Sequence, residues 1–181
     1  MNVRTLCLAI LNFGEATGYE IRKQSMDGDF SYFVDASFGA IYPALSRLTE
    51  EGLVECRDEV APGKPARKVY SITPAGRRAF IEALHQPVAP DLFKSQFLLV
   101  ATCAEYVEPR HMAELVAKRT AEMEKALADL RAARSDCDHP GSVWALDYGI
   151  ACHEQCLDYL HRHGPQLVAI AGTALGAEAA E

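Results

Sequence analysis

The sequence has no run approaching the ~18–20 apolar residues that cross a bilayer, although 49% of its 181 residues are apolar. A membrane partner is therefore not expected, while enough side chains remain for a core. The apolar stretch 6–11 is short and no small-residue cleavage site follows it, so no secretion signal is read and a cytoplasmic location is expected. The six cysteines, at 7, 56, 103, 137, 152 and 156, form no Cys-x-x-Cys pair. That excludes a zinc knuckle or a thioredoxin-type motif, and without secretion the cysteines read as thiols. Gly-x-Ser-x-Gly, the P-loop and the dinucleotide fingerprint are missing too. His85, His111 and His139 stand isolated. An enzyme is not expected, and no cofactor is implied.

Positive charge is also scarce, with a net charge of -7. The deficit is uneven. Residues 1–86 carry ten Lys/Arg against eleven Asp/Glu, whereas residues 87–181 carry eight against fourteen. The first part is thus nearly neutral and the acidity lies mainly in the second. Indiscriminate coating of nucleic acid is excluded, but a local basic cluster at a groove is not.

What is present is a string of start and stop signals. Residues 3–13 read as a helix, with Val3, Leu6, Cys7, Ile10 and Leu11 on one face. Thr17 and Glu20 form a capping-box pattern for a second helix, on which Ile21 is a core candidate. Ser37 is the expected N-cap of a third helix with an apolar stripe at Ile41, Leu45 and Leu48. Pro43 inside that helix crowds the carbonyl of Gly39, so a kink that re-aims the helix start is expected. Gly52 is the expected C-cap. Residues 53–58 and 67–73 read as two strands joined by a basic turn over 61–66, and Thr73-Pro74 starts a fourth helix.

Helix, helix, helix, strand, basic turn, strand, helix is the order of a winged helix-turn-helix. In that arrangement the first turns of the third helix reach base edges while the wing grips phosphate. Ser37, Phe38, Gly39, Ala40 and Tyr42 occupy those turns, and Lys64, Arg67 and Lys68 supply the wing charge. A small core with a hairpin that binds nothing is the plainer reading. The basic turn, the caps and the element order together favour double-stranded DNA as the partner.

Gly18-Tyr-Glu-Ile21, Gly39-Ala-Ile-Tyr-Pro-Ala-Leu-Ser-Arg-Leu48, Glu51-Gly-Leu-Val54, Gly63-Lys64 and Tyr70-Ser-Ile-Thr-Pro-Ala-Gly76 resemble, in order and spacing, the PadR family of transcriptional regulators. The resemblance implies DNA contacts from Tyr19, Ser37, Gly39 and Tyr42, with Lys64 and Arg67 on the wing. Phe38 stands where family members commonly carry proline. The resemblance covers residues 1–85 and implies, for the longer subgroup, a helical C-terminal homodimerisation domain and aromatic or drug-like effectors.

The expected architecture is mainly α with a small β-wing. A winged-helix domain spans 1–86, a helical dimerisation and effector domain spans 91–165, and a flexible tail spans 166–181. Within the second domain, helices are expected at 92–106, 109–134 and 143–163. Met112, Val116, Met123, Ala126, Leu130 and Ala133 follow a 3.5-residue seam for a homodimer, with Arg119 needing a carboxylate there. The same stripe suits a helix packed within its own monomer. Trp144, Tyr148, Phe93, Phe97 and Tyr106 are candidates for an aromatic effector cavity, with Phe97, Trp144 and Tyr148 foremost. Cys152, Cys156 and His163 share a stripe; core packing is the plainer reading, and a thiol or soft-metal sensor the alternative. The function read from the sequence is a homodimeric repressor of a pseudo-palindromic operator, released by a small effector. A helical interaction protein that ignores DNA would leave the wing unexplained.

Overall fold

The first helix, α1 (Val3–Phe13), starts at Asn2, whose side-chain oxygen accepts the Thr5 amide at 3.0 Å. The computed structural model describes residues 2–26, 28, 30, 33, 39–59 and 66–175. They fall into two units, Met1–Asp91 and Leu92–Glu181. In the first unit, β1 (Ala16–Thr17) leads directly into α2 (Gly18–Met26). The capping box closes as expected. Thr17 Oγ1 accepts the Glu20 amide at 3.2 Å, and the Glu20 carboxylate accepts the Thr17 amide at 2.7 Å. Ile21 is fully buried.

The third helix, α3 (Ile41–Glu50), begins later than the sequence suggests. Ala40 is its N-cap and carries no side-chain cap bond; Gly39 and Ala40 form a turn before it. Ser37, expected as the cap, lies outside the described residues. This start changes the meaning of Pro43. The first backbone bond of the helix runs from the Ala44 amide to the Ala40 carbonyl at 3.2 Å. Pro43 therefore sits in the first turn, where amides have no intrahelical partner anyway, and the expected kink over Gly39 has no cause. At the other end Gly52 takes φ +68°. The Gly52 amide donates to Thr49 O at 3.0 Å and the Leu53 amide to Leu48 O at 2.9 Å. This is the Schellman arrangement, and it fits glycine because other side chains resist positive φ.

That turn delivers the chain into β2 (Val54–Glu59), which pairs antiparallel with β3 (Arg67–Ile72) from Val54↔Ile72 to Glu59↔Arg67. The connecting turn, with Lys64, lies outside the described residues. Antiparallel pairing of β1 with β3, Ala16↔Tyr70 and Thr17↔Val69, completes a sheet of order β1-β3-β2. Two residues are too short to show an alternation, so β1 has no signature in the sequence. Helix α4 (Pro74–Leu84) is capped by Thr73, whose hydroxyl accepts the Gly76 amide at 3.0 Å. A Cβ built on Gly76 meets Leu53 O at 2.0 Å, so only glycine permits this approach of α4 to β2. Leu6, Ile10, Leu11, Ile21, Ile41, Leu45, Leu48 and Val54 fill one core.

The second unit holds α5 (Gln96–Thr102), a 3₁₀ turn (Ala104–Tyr106), α6 (Pro109–Ser135) and α7 (Pro140–Ile170). A continuous helix over 92–106 does not form. Ser95 caps α5 by accepting the Leu98 amide at 3.2 Å, and the helix ends at Cys103. Helix α7 starts three residues earlier than expected, because Pro140 needs no amide partner there and His139 Nδ1 accepts the Ser142 amide at 3.2 Å.

The expected tail also needs correction. Helix α7 continues through Pro165, and Ala171 is buried with Ala104 and Met112, with Leu167 and Val168 packed against them. The Gly172 amide donates to Ala104 O at 3.3 Å and the Ala174 amide to Glu105 O at 3.1 Å. Residues 166–175 are thus held by packing that local composition does not reveal; 176–181 lie outside the described residues. Helices α6 and α7 pack along each other. Gly164 lies against Val116 and Gly149 against Leu130, and Arg131–Glu154 (2.6 Å) and Arg134–Asp147 (2.8 Å) bridge them. The expected dimer seam therefore includes side chains packed on α7 of the same chain. Arg119 finds its carboxylate on its own helix, Glu122 at 3.5 Å.

Candidate nucleic-acid interface

Two tyrosines stand out at the starts of two helices. Tyr19 lies in the first turn of α2 and is 60% exposed; the Arg22 guanidinium sits 5.4 Å from its ring centre. Tyr42 lies in the first turn of α3 and is 46% exposed. Large aromatic rings are normally covered, so half-exposed rings at helix N-termini are notable. The amides of such a first turn also lack internal partners and favour anions. Gly39 is exposed in the turn before α3 and its Cβ position is open space, so a close approach by another backbone is unhindered. Ser37 and Lys64 lie outside the described residues.

The wing strands carry less free charge than their sequence suggests. Arg67 is exposed but paired with Glu59 at 2.5 Å. Arg57 is paired with Glu15 at 2.6 Å, and its guanidinium holds the Glu15 carboxyl below the usual carboxylate range. Lys68 faces Asp58 across the strand pair. These pairs connect residues up to 42 positions apart in the chain (Arg57 with Glu15), so a count of basic residues could not foresee them. The Glu20 carboxyl is likewise lowered, first by its bonds from Thr17 and last by the nearby Arg67 charge.

Behind Tyr42 lies a contact that sequence reasoning missed. Tyr70 on β3 is largely buried and pairs across the sheet with Cys56. Burial first, then the neighbouring Cys56 thiol, holds the Tyr70 hydroxyl protonated up to about 12. The only sequence signal was the alternation that places Tyr70 and Ile72 on one strand face.

The second unit does not assemble the expected effector trio in one chain. Trp144 and Tyr148 stack, with ring centres 5.7 Å apart and planes 9° apart, and both are exposed. Phe97 is on α5, close in sequence to Ala104, which packs with Ala171 at the far end of α7. At about 1.5 Å of rise per residue, Trp144 and Ala171 are roughly 40 Å apart. Within one chain Cys152 and Cys156 are exposed rather than packed in its core. His163 instead packs on Tyr159, with ring centres 4.4 Å apart, and its Nδ1 meets Gln166 Oε1 at 3.0 Å. No group of three His, Cys, Asp or Glu side chains that could hold a metal occurs among the described residues. Nor is any helix there long and apolar enough to cross a membrane.

Residues 7–82 match the transcriptional regulator PadR-like family. The negative transcriptional regulator PadR of Bacillus subtilis strain 168 is 29% identical over 126 residues, 68% of each chain. The crystal structure of the PadR-like transcriptional regulator BC1756 from Bacillus cereus superposes with a TM-score of 0.76 at 29% identity, covering 93% of this chain and 99% of that one. Bacillus subtilis PadR in complex with operator DNA gives 0.74 at 23% identity, covering 91% and 98%. Its complex with p-coumaric acid gives 0.64 at 23%, covering 92% and 97%. At 23% identity these two structures speak to the fold, which includes the long C-terminal helices. The winged head, residues 7–82, is thus similar to the transcriptional regulator PadR-like family, and the whole chain is similar in fold to the PadR-like regulator of Bacillus cereus.

Proposed function

We propose that the protein is a homodimeric repressor that places two winged heads on a pseudo-palindromic operator. The observation that carries this reading is the pair Tyr19 and Tyr42, each exposed in the first turn of its helix beside a wing. Ser37, Gly39, Lys64 and Arg67 complete the contact set. The repressor sign is supported by the relative named a negative regulator. Operator binding is supported by the complex of Bacillus subtilis PadR with operator DNA. Dimerisation is supported by the large apolar side chains left uncovered in the helical unit, including Leu92, Phe93, Leu99, Trp144, Tyr148 and Tyr159. A single chain rarely leaves so much apolar surface open without a partner.

The helical unit takes a small aromatic acid that prefers one dimer geometry, which lowers affinity for DNA by shifting the population of head spacings. The stacked Trp144–Tyr148 pair offers a flat aromatic wall for it, and the complex of Bacillus subtilis PadR with p-coumaric acid supports that ligand class. The exposure of Cys152 and Cys156 favours a second reading, release by thiol oxidation. Electrophoretic shifts of a DNA fragment from upstream of the protein's own coding region, with and without p-coumaric acid or peroxide, separate these readings. Release by the acid supports the first and release by peroxide the second; a fragment bound equally in all lanes refutes both sensors.

A further inference from the structure

Gly18 is the first residue of α2 and is buried. Its neighbours on the chain, Ala16 and Thr17, pair with Tyr70 and Val69, which brings Gly18 beside the Tyr70 ring. A Cβ built on Gly18 falls 2.8 Å from Tyr42 Cε1, 3.5 Å from Tyr42 Cδ1 and 3.5 Å from Tyr70 Cε2. The missing methyl is therefore the space that the Tyr42 ring occupies. Gly18 does not take the positive φ that would by itself require glycine. Helix propensity also argues for alanine at a helical position. Neither backbone conformation nor helix stability explains a glycine here; the aromatic contact does.

We propose that Gly18 and Tyr70 form a seat that aims the Tyr42 ring out of the first turn of α3, making Gly18 a positioning residue for DNA recognition. The inference rests on the reading that Tyr42 contacts DNA. Because α2 and α3 are joined by a long connection, a local contact between them also fixes how the two tyrosine-bearing helix starts face the groove together. A side chain at position 18 displaces a half-exposed ring, which can swing aside into solvent. The seat is lost while the core below it stays packed.

The test is a double-mutant cycle with a duplex enriched from a random library by the wild-type protein. Operator affinity and thermal midpoint are measured for wild type, Gly18→Ala, Tyr42→Ala and the double variant. Gly18→Ala is expected to weaken binding on the order of tenfold, the worth of one well-made hydrogen bond, without lowering the thermal midpoint. In the Tyr42→Ala background the same change is expected to cost nothing more, since the ring it displaces is gone. Additive losses overturn the seat while leaving the Tyr42 contact standing. Wild-type affinity for Gly18→Ala overturns it as well. Wild-type affinity for Tyr42→Ala removes the recognition reading itself, and the seat falls with it.

Discussion

Single residues decide how this head closes. Tyr70 has a hydroxyl that burial and Cys56 keep protonated up to about 12, above its ordinary 10.0. A raised phenol favours the neutral form in the fold. The stability it contributes is complete below pH 10 and lost as pH rises from 10 toward 12. Alkaline titration followed by phenolate absorbance should show a late component that Tyr70→Phe removes. Gly76 closes α4 on β2, with a Cβ there only 2.0 Å from Leu53 O. Gly76→Ala should lower the unfolding free energy by about 2–4 kcal/mol, read as a shifted denaturant midpoint with unchanged slope. Residue-scale features were unequally legible. Thr17, Glu20, Gly52 and Thr73 act on backbone within a few positions, so their roles could be read from spacing. The Gly18–Tyr42–Tyr70 contact joins three elements and left no local trace. Pro43 was misread for a related reason. Its effect depends on where α3 starts, and Ala40, which no capping preference singles out, is where it does.

Elements carry the electrostatics. The wing strands hold Arg57 and Arg67 in exposed ion pairs with Glu15 and Glu59. Exposed pairs contribute little to stability, but under the proposed DNA reading they compete with phosphate for the same guanidinium. Glu59→Gln should free Arg67 and steepen the salt dependence of DNA binding by about one unit of slope, while Lys64→Ala should flatten it by about one. Both are read from affinity against salt concentration; identical slopes would remove the wing from the phosphate contacts. The charge split visible in the sequence was informative about the head as a whole. It could not say which arginines were already engaged. Likewise the stripe on α6 was legible as an apolar face, but periodicity does not name the partner. In the fold that partner includes α7 of the same chain, whose reach through Pro165 to the buried Ala171 depends on packing against Ala104 and Met112.

At the scale of the whole molecule, two winged heads are expected to act as one reader because the helical units hold them together. The exposed aromatic face of α7 is where the proposed dimer closes, rather than the α6 stripe read from the sequence, and Trp144→Glu with Tyr148→Glu should shift sedimentation from dimer to monomer and weaken operator binding at least tenfold. That loss is expected even with intact heads, because a monomer forfeits the gain of linked half-sites. Double-strand operators read this way have half-sites about 10 base pairs, or a multiple of it, apart. Hydroxyl-radical footprinting on a fragment from upstream of the protein's own coding region tests the central claim most directly. The account predicts two symmetric protected patches at that spacing, both lost in Tyr42→Ala. A single patch, or protection that survives Tyr42→Ala, would contradict it.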